Sequence, residues 1–113
     1  MGEGAPLGEI LIQRDDNNRI VGLTAGDMTE GSEATRTAER LVRAVAASMG
    51  DYLHVPAEVS LAGGLRLRVD RTDSNLSREI DAILETLIIG LHMLAEELPA
   101  ELVVRESGIG VKV

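Results

Sequence analysis

The stretch from Leu76 to Leu98 constrains the fold of this chain most, because its apolar residues recur at steps of three and four. That spacing is typical of an amphipathic helix lying on a hydrophobic core. Ser74 or Asn75 can cap the start of this helix, and Pro99 ends it. The residues predicted to face the core are Leu76, Ile80, Ile83, Leu84, Leu87, Leu91, Ala95 and Leu98.

Three further apolar residues, Ile88, Ile89 and Met93, lie beside this stripe and widen the apolar face of the helix. A face wider than one sheet can cover is typical of a subunit interface, and equally of a deeply buried core helix. The sequence leaves both interpretations open. We predict that the three residues form a homodimer interface, since burying them contributes a few kcal/mol at roughly 25 cal/mol per Å².

The other segments predict short strands and one weaker helix. The Asp-Asp-Asn-Asn sequence at 15–18 is a turn between two β-branched runs and predicts a hairpin. Ser32 is the predicted N-cap of a helix that runs to about Met49 and ends at Gly50. The Gly63-Gly64 pair predicts a tight hairpin. The predicted strands cover 9–14, 19–25, 58–62, 65–70 and 102–105, and residues 106–113 can add an edge strand.

The resulting order, β-β-α-β-β-α-β, predicts an α+β fold. Because hairpins dominate, we expect a mainly antiparallel sheet with both helices on one face, a two-layer sandwich. With 113 residues, the chain is predicted to form a single domain over 1–113, with 1–7 as a loose N-terminal tail.

Composition excludes several functional classes. The net charge of −8 argues against sequence-independent nucleic-acid binding and favours a basic partner. The absence of cysteine rules out disulfides, thiolate zinc sites and thiol nucleophiles. No apolar run is long enough to span a membrane, so a cytoplasmic location is expected, and no motif predicts a cofactor.

Three carboxylates, Asp27, Glu30 and Glu33, crowd the loop before the first helix. They could hold a hard cation, but their spacing lacks the ordered alternation of a calcium loop. Negative charge before a helix start is also ordinary capping electrostatics. We therefore predict no metal site. Three carboxylates exceed what capping requires, so the loop either attracts a basic peptide or is simply solvated.

The segments GGLRLRV and NLSREIDAILETLIIGLHMLAEELPAELVV, with the strand hairpin and small-residue helix before them, resemble the ribosomal-processing cysteine protease (Prp) family. The resemblance extends from about Ile10 to Val104. It implies a homodimer that removes an N-terminal extension from a ribosomal protein of the large subunit. In the family, a Gly-His-Ala motif supplies the catalytic histidine, and the nucleophilic cysteine opens the helix about a dozen residues later.

Both catalytic residues are missing from this sequence. Gly26-Asp27-Met28 stands at the Gly-His-Ala position, and the cysteine position falls within TRTAE at 35–39. Thr35 or Thr37 would need a base, and a carboxylate of ordinary pKa such as that of Asp27 is a poor one near neutral pH. The resemblance therefore implies a catalytically inactive relative.

We expect a homodimeric binding module that recognises a basic peptide, such as a ribosomal protein tail. The candidate cleft lies between the loop at 26–31 and the first helix, and its residues are Gly26, Asp27, Met28, Glu30, Glu33 and Thr37. Two alternatives remain open. One is a hydrolase that uses other residues in the same cleft, and the other is a structural assembly subunit without a ligand.

Overall fold

The computed structural model describes residues 8–26, 32–61 and 64–108, which form five strands and two long helices. The strands are β1 (Gly8–Arg14), β2 (Ile20–Gly26), β3 (Ala57–Ser60), β4 (Leu65–Val69) and β5 (Leu102–Gly108). The helices are α1 (Glu33–Ser48), which continues as a π-helical turn (Met49–Leu53), and α2 (Ser77–Glu97), which follows a 3₁₀ turn (Ser74–Leu76). The predicted order and the α+β class are confirmed.

The five strands form one sheet in the order β3-β4-β2-β1-β5. The pairs β1–β2, β2–β4 and β3–β4 are antiparallel, whereas β5 runs parallel to β1. A strand that enters the sheet parallel to its neighbour needs a long crossover connection, and α2 provides it between β4 and β5. The sheet is therefore mainly antiparallel, as predicted, with one parallel edge strand that the hairpin signals did not indicate.

The hydrophobic core lies between the sheet and the two helices. Ile10 and Ile12 of β1 alternate with Leu11 and are completely buried, and Leu84 and Leu91 of α2 meet them with no exposed surface. Strand alternation places alternate side chains of β1, β2 and β4 on the opposite face of the sheet, away from both helices. This is the two-layer sandwich expected from the sequence.

Several predicted boundaries are wrong. Gly50 does not end the first helix, because the backbone continues through the π-helical turn and stops at His54, whose φ of 56° is left-handed. Asp73 rather than Ser74 or Asn75 caps the second helical segment, since its carboxylate accepts a hydrogen bond from the Asn75 N–H at 3.0 Å. Strand β5 extends to Gly108, and the rest of the predicted edge strand, like the tail at 1–7, lies outside the described residues.

Arg71 joins the sheet to the start of α2. Its buried guanidinium donates to the Ile20 carbonyl of β2 and, at 2.6 Å, to Oδ1 of Asp81 on α2. It also donates to the Ser77 hydroxyl at 3.2 Å. Its Nε has no hydrogen-bond partner in the described structure. This arrangement fixes the position of α2 relative to β2, the strand that leads to the candidate site.

Candidate functional site

The candidate site lies where β2 ends at Gly26 and α1 begins. Ser32 caps α1 as predicted, because its Oγ accepts a hydrogen bond from the Thr35 N–H at 3.1 Å. The same hydroxyl donates to Oγ1 of Thr35 at 2.8 Å. Thr35 is only 5% exposed. The two hydroxyl groups closest to the helix start are therefore engaged with each other and with the helix backbone.

Glu101, which the sequence did not indicate, also contributes to the start of α1. Its Oε1 accepts a hydrogen bond from the Ala34 N–H at 3.1 Å. The backbone holds Glu101 in place, since its N–H donates to the Leu98 carbonyl at 2.9 Å and its carbonyl accepts from the Gly8 N–H at 3.0 Å. A carboxylate at a helix N-terminus is electrostatically favourable. This contact depends on the parallel placement of β5 beside β1, which explains why local sequence patterns gave no signal for it.

Only three of the six predicted cleft residues lie in the described part of the chain. Gly26 ends β2, Glu33 is the exposed first residue of α1, and Thr37 is half-buried one turn later. Asp27, Met28 and Glu30 lie outside the described residues. The structure therefore describes the end of β2 and the start of α1, which flank the predicted acidic cleft, and the cleft itself stays a prediction.

Neither histidine of the chain is part of the start of α1. His54 follows the π-helical turn at the other end of the helix. His92 is on α2, where its Nε2 lies 3.8 Å from Oε2 of Glu106. Glu106 in turn accepts a hydrogen bond from Nε of Arg14 at 2.8 Å. This group joins α2, β1 and β5. Among the residues that the structure describes, neither His92 nor Glu106 hydrogen-bonds a hydroxyl that could act as a nucleophile.

A surface pocket of about 450 Å³ adjoins Gly26 on the β4 side. The charged side chain that lines this pocket is Arg66, so this wall of the site is basic. The neighbouring loop at 26–31, in contrast, is acidic in sequence. The lining residues are Thr24, Ala25, Gly26, Ser60, Gly64, Leu65 and Arg66. Within the described ranges, no group of three or more histidine, aspartate or glutamate side chains is arranged to hold a metal ion.

The three predicted interface residues separate in the structure. Ile88 is only 4% exposed and belongs to the core, so it is not available at the surface; α2 turns this position toward the sheet. Ile89 and Met93 are 60% and 55% exposed. An apolar groove of about 400 Å³ runs between α1 and α2, and its lining residues are Leu41, Ala44, Val45, Ala82, Ile83, Thr86, Leu87 and Gly90.

Among comparisons with known proteins, the comparison of structures gives matches and the comparisons of sequence do not. No family model and no curated protein matches the sequence. Among solved structures, the essential ribosomal processing protease Prp from S. aureus in complex with a substrate peptide superimposes with a TM-score of 0.73 at 15% identity. The match covers 88% of this chain and 99% of that protein. This chain has a Prp-like fold.

Two further structures support that assignment. SMU.848 from Streptococcus mutans has a TM-score of 0.70 at 10% identity, over 90% of this chain and 98% of its own. The S. aureus protease with a covalently linked product peptide has a TM-score of 0.72 at 13% identity, over 88% and 99%. The predicted Prp-like fold is therefore confirmed. At these identities the likeness concerns the fold, and activity requires a separate argument.

The described helices contain no segment with the length and apolarity needed to cross a membrane.

Proposed function

We propose that this protein is a catalytically inactive, homodimeric Prp-like module that binds a basic peptide, such as the tail of a ribosomal protein. The observation that carries the proposal is a Prp-like fold in a chain without any cysteine. By resemblance, the cysteine would open α1 and the histidine would follow Gly26. In this sequence the cysteine position falls within 35–39, where there is no cysteine, and Asp27 stands at the histidine position.

The contacts at the start of α1 support inactivity. Nucleophilic attack by a hydroxyl requires a neighbouring base that removes its proton. The Ser32 hydroxyl instead donates to Thr35, and Thr35 is buried. The carboxylate of Glu101 accepts from the helix backbone at Ala34. In this role Glu101 stabilises the helix start. Its Oε1 accepts a hydrogen bond from an N–H, and the Ser32 hydroxyl donates to Thr35 rather than to Glu101.

Peptide binding is supported by the charge of the loop and by the comparison. The similar S. aureus protein carries a substrate peptide in its structure. Asp27, Glu30 and Glu33 fall in or beside the loop between β2 and α1, in a chain of net charge −8. Interactions between solvent-exposed charges are in general screened beyond about 8 Å at physiological ionic strength. Affinity for a basic peptide should consequently fall as salt is raised.

A homodimer is supported by the apolar surface of the helical layer. Ile89 and Met93 are exposed one turn apart on α2, and the same helix lines the groove at Thr86 and Gly90. Large exposed apolar side chains next to an apolar groove are typical of a surface that another protein covers. A second copy of the chain presents the same surface and can cover it with twofold symmetry.

Fluorescence anisotropy with a labelled lysine-rich tail peptide of a ribosomal protein tests the binding proposal. We expect saturable binding that weakens at higher salt and weakens again in the double variant Asp27→Asn/Glu30→Gln. The double variant Glu96→Gln/Glu97→Gln removes the same charge from exposed positions on α2 and should bind like the wild type. Equal affinities for all three proteins at both salt concentrations would exclude the loop as the recognition surface.

The same peptide tests catalysis. After incubation with the protein, mass spectrometry should show the peptide intact under conditions in which an active Prp cleaves it. Cleavage that is lost in Thr37→Ala would contradict the proposal and would favour a hydrolase that uses the helix hydroxyls.

A further inference from the structure

The edge of the sheet formed by β3 has a backbone surface that the candidate site does not use. Among the described strands, β4 is the one neighbour of β3. The Asp70 N–H donates to the Pro56 carbonyl at 3.0 Å, just beyond the β3–β4 ladder. Hydrogen-bonded pairs alternate along an antiparallel ladder. Glu58 and Ser60 therefore bond to β4, whereas the N–H and C=O groups of Ala57 and Val59 point toward the open edge.

A groove runs along this edge on the side that faces α1. It has a volume of about 420 Å³ and lies between the open edge of β3 and the C-terminal part of α1. Its lining residues are Arg43, Ala46, Ala47, Ala57, Val59 and Leu61. Leu61 is 44% exposed. A strand added to β3 would direct every second side chain into this groove.

The charge of the groove indicates what such a strand carries. Arg43 forms no ion pair with any other residue in the described part of the chain, although the protein is strongly acidic overall. On the opposite face of the sheet, Glu58 and Ser60 are exposed at this edge, and they pair with the exposed Arg68 and Arg66 of β4. On the groove side, an acidic side chain of the added strand is favoured because Arg43 is the charged residue of the groove lining.

The spacing along α1 makes the requirement more specific. Arg43 and the small residues Ala46 and Ala47 are one helical turn apart, about 5.4 Å. Two residues of a strand span about 6.6 Å, and residues two apart share a face. One side chain of the strand can therefore reach Arg43 while the next on the same face contacts Ala46, Ala47 and Leu61.

We propose that the open edge of β3 binds an extended segment of another protein as an additional strand, with an apolar residue and an Asp or Glu two positions apart. The added strand hydrogen-bonds to Ala57 and Val59, which is the mode of β-strand addition. The carboxylate pairs with Arg43, and the apolar side chain fills the groove. This site is separate from the loop at 26–31, and it selects an acidic rather than a basic peptide.

The labelled heptapeptides TTVTETT and TTVTKTT test the proposal, because they differ only in the charge that faces Arg43. Wild-type protein should bind the glutamate peptide about tenfold or more tightly than the lysine peptide, measured by fluorescence anisotropy. In Arg43→Glu this preference should reverse. Arg78→Glu makes the same charge change at an exposed position on α2 and should keep the wild-type preference. Loss of the preference to the same extent in both variants would overturn the proposal, as would absence of saturable binding to the wild type.

Two further measurements separate strand addition from simple charge attraction. In ¹H–¹⁵N spectra the amide signals of Ala57 and Val59 should shift on titration with TTVTETT, since these N–H groups gain acceptors. Val59→Pro removes one of them without breaking the β3–β4 ladder, and it should abolish binding while the remaining spectrum stays dispersed. Unshifted Ala57 and Val59 signals at saturation would refute strand addition. A change of oligomeric state in Val59→Pro without loss of peptide binding would also refute it and would assign this edge to a second copy.

Discussion

The substitution Ile89→Glu is expected to dissociate the proposed homodimer. Ile89 and Met93 are 60% and 55% exposed. Complete burial of such a side chain contributes roughly 1.5–3 kcal/mol, so covering their exposed fractions contributes roughly 2–3.5 kcal/mol for each protomer. In a twofold interface both copies contribute, which gives roughly 3.5–7 kcal/mol.

Association itself costs about 4–15 kcal/mol in lost translational and rotational freedom. Ile89 and Met93 therefore do not suffice for a stable dimer. The interface must also bury the groove between α1 and α2, including its α1 wall at Ala44 and Val45. It follows that Ala44→Arg, on the other helix, should weaken the dimer as Ile89→Glu does.

Sedimentation velocity or light scattering at micromolar protein concentration measures the dissociation of the dimer directly. Ile89→Glu removes two apolar contacts per dimer and places two unpaired carboxylates in the interface, so the dissociation constant should rise about 100-fold or more. Tyr52→Glu changes a side chain that is 81% exposed at the far end of α1 and should leave the dimer intact. A wild-type monomer at micromolar concentration would refute the reasoning, and so would a dimer that survives both Ile89→Glu and Ala44→Arg.

Two further predictions concern stability. Asp81→Ala leaves the guanidinium of Arg71 buried without its carboxylate, and chemical denaturation should show a loss of about 3 kcal/mol, the lower end for a broken buried pair, because Asp81 is partly exposed. The N–H of Arg19, which donates to Asp15 at 2.9 Å, is the largest cause that holds the pKa of Asp15 below its ordinary value. The stability contributed by Asp15 is therefore present above that ordinary value and is lost as the pH falls through the lower folded-state pKa. Asp15→Asn should be less stable than the wild type at neutral pH and equally stable in strong acid, as thermal unfolding at several pH values can check.

Segments with strong local patterns were predicted well from the sequence. The periodicity of 76–98 gave α2 within one or two residues, and the alternation of Leu65, Leu67 and Val69 gave β4 with its buried face. Ser32 was found as the cap of α1 because its position before a helical pattern is itself a local signal. In each case the residues that decide the structure are neighbours in the sequence.

Features that depend on distant residues were missed. The helix pattern did not show that Ile88 turns into the core while Ile89 and Met93 face solvent, because that depends on how α2 is rotated on the sheet. The end of α1 was predicted at Gly50, a residue that can end a helix, but the terminating left-handed residue is His54. The need for glycine at position 22 also depends on a distant residue, since a Cβ there would meet the Leu67 carbonyl of the neighbouring strand.

The contact of Glu101 with the start of α1 bears on the proposed absence of protease activity in this Prp-like fold. A thiolate at a helix N-terminus is stabilised by free backbone N–H groups and by the positive end of the helix dipole. Here the Ala34 N–H already donates to a carboxylate, and Ser32 Oγ accepts from Thr35 N–H. Any negative charge that developed at this helix start would meet the negative charge of Glu101 in addition to lacking a histidine. Because nucleophile, base and charge-stabilising groups act as a unit, we predict that a single cysteine introduced into this site would not confer protease activity. In the proposed binding module, the same carboxylate would stabilise the helix start and add to the negative field around a bound basic peptide.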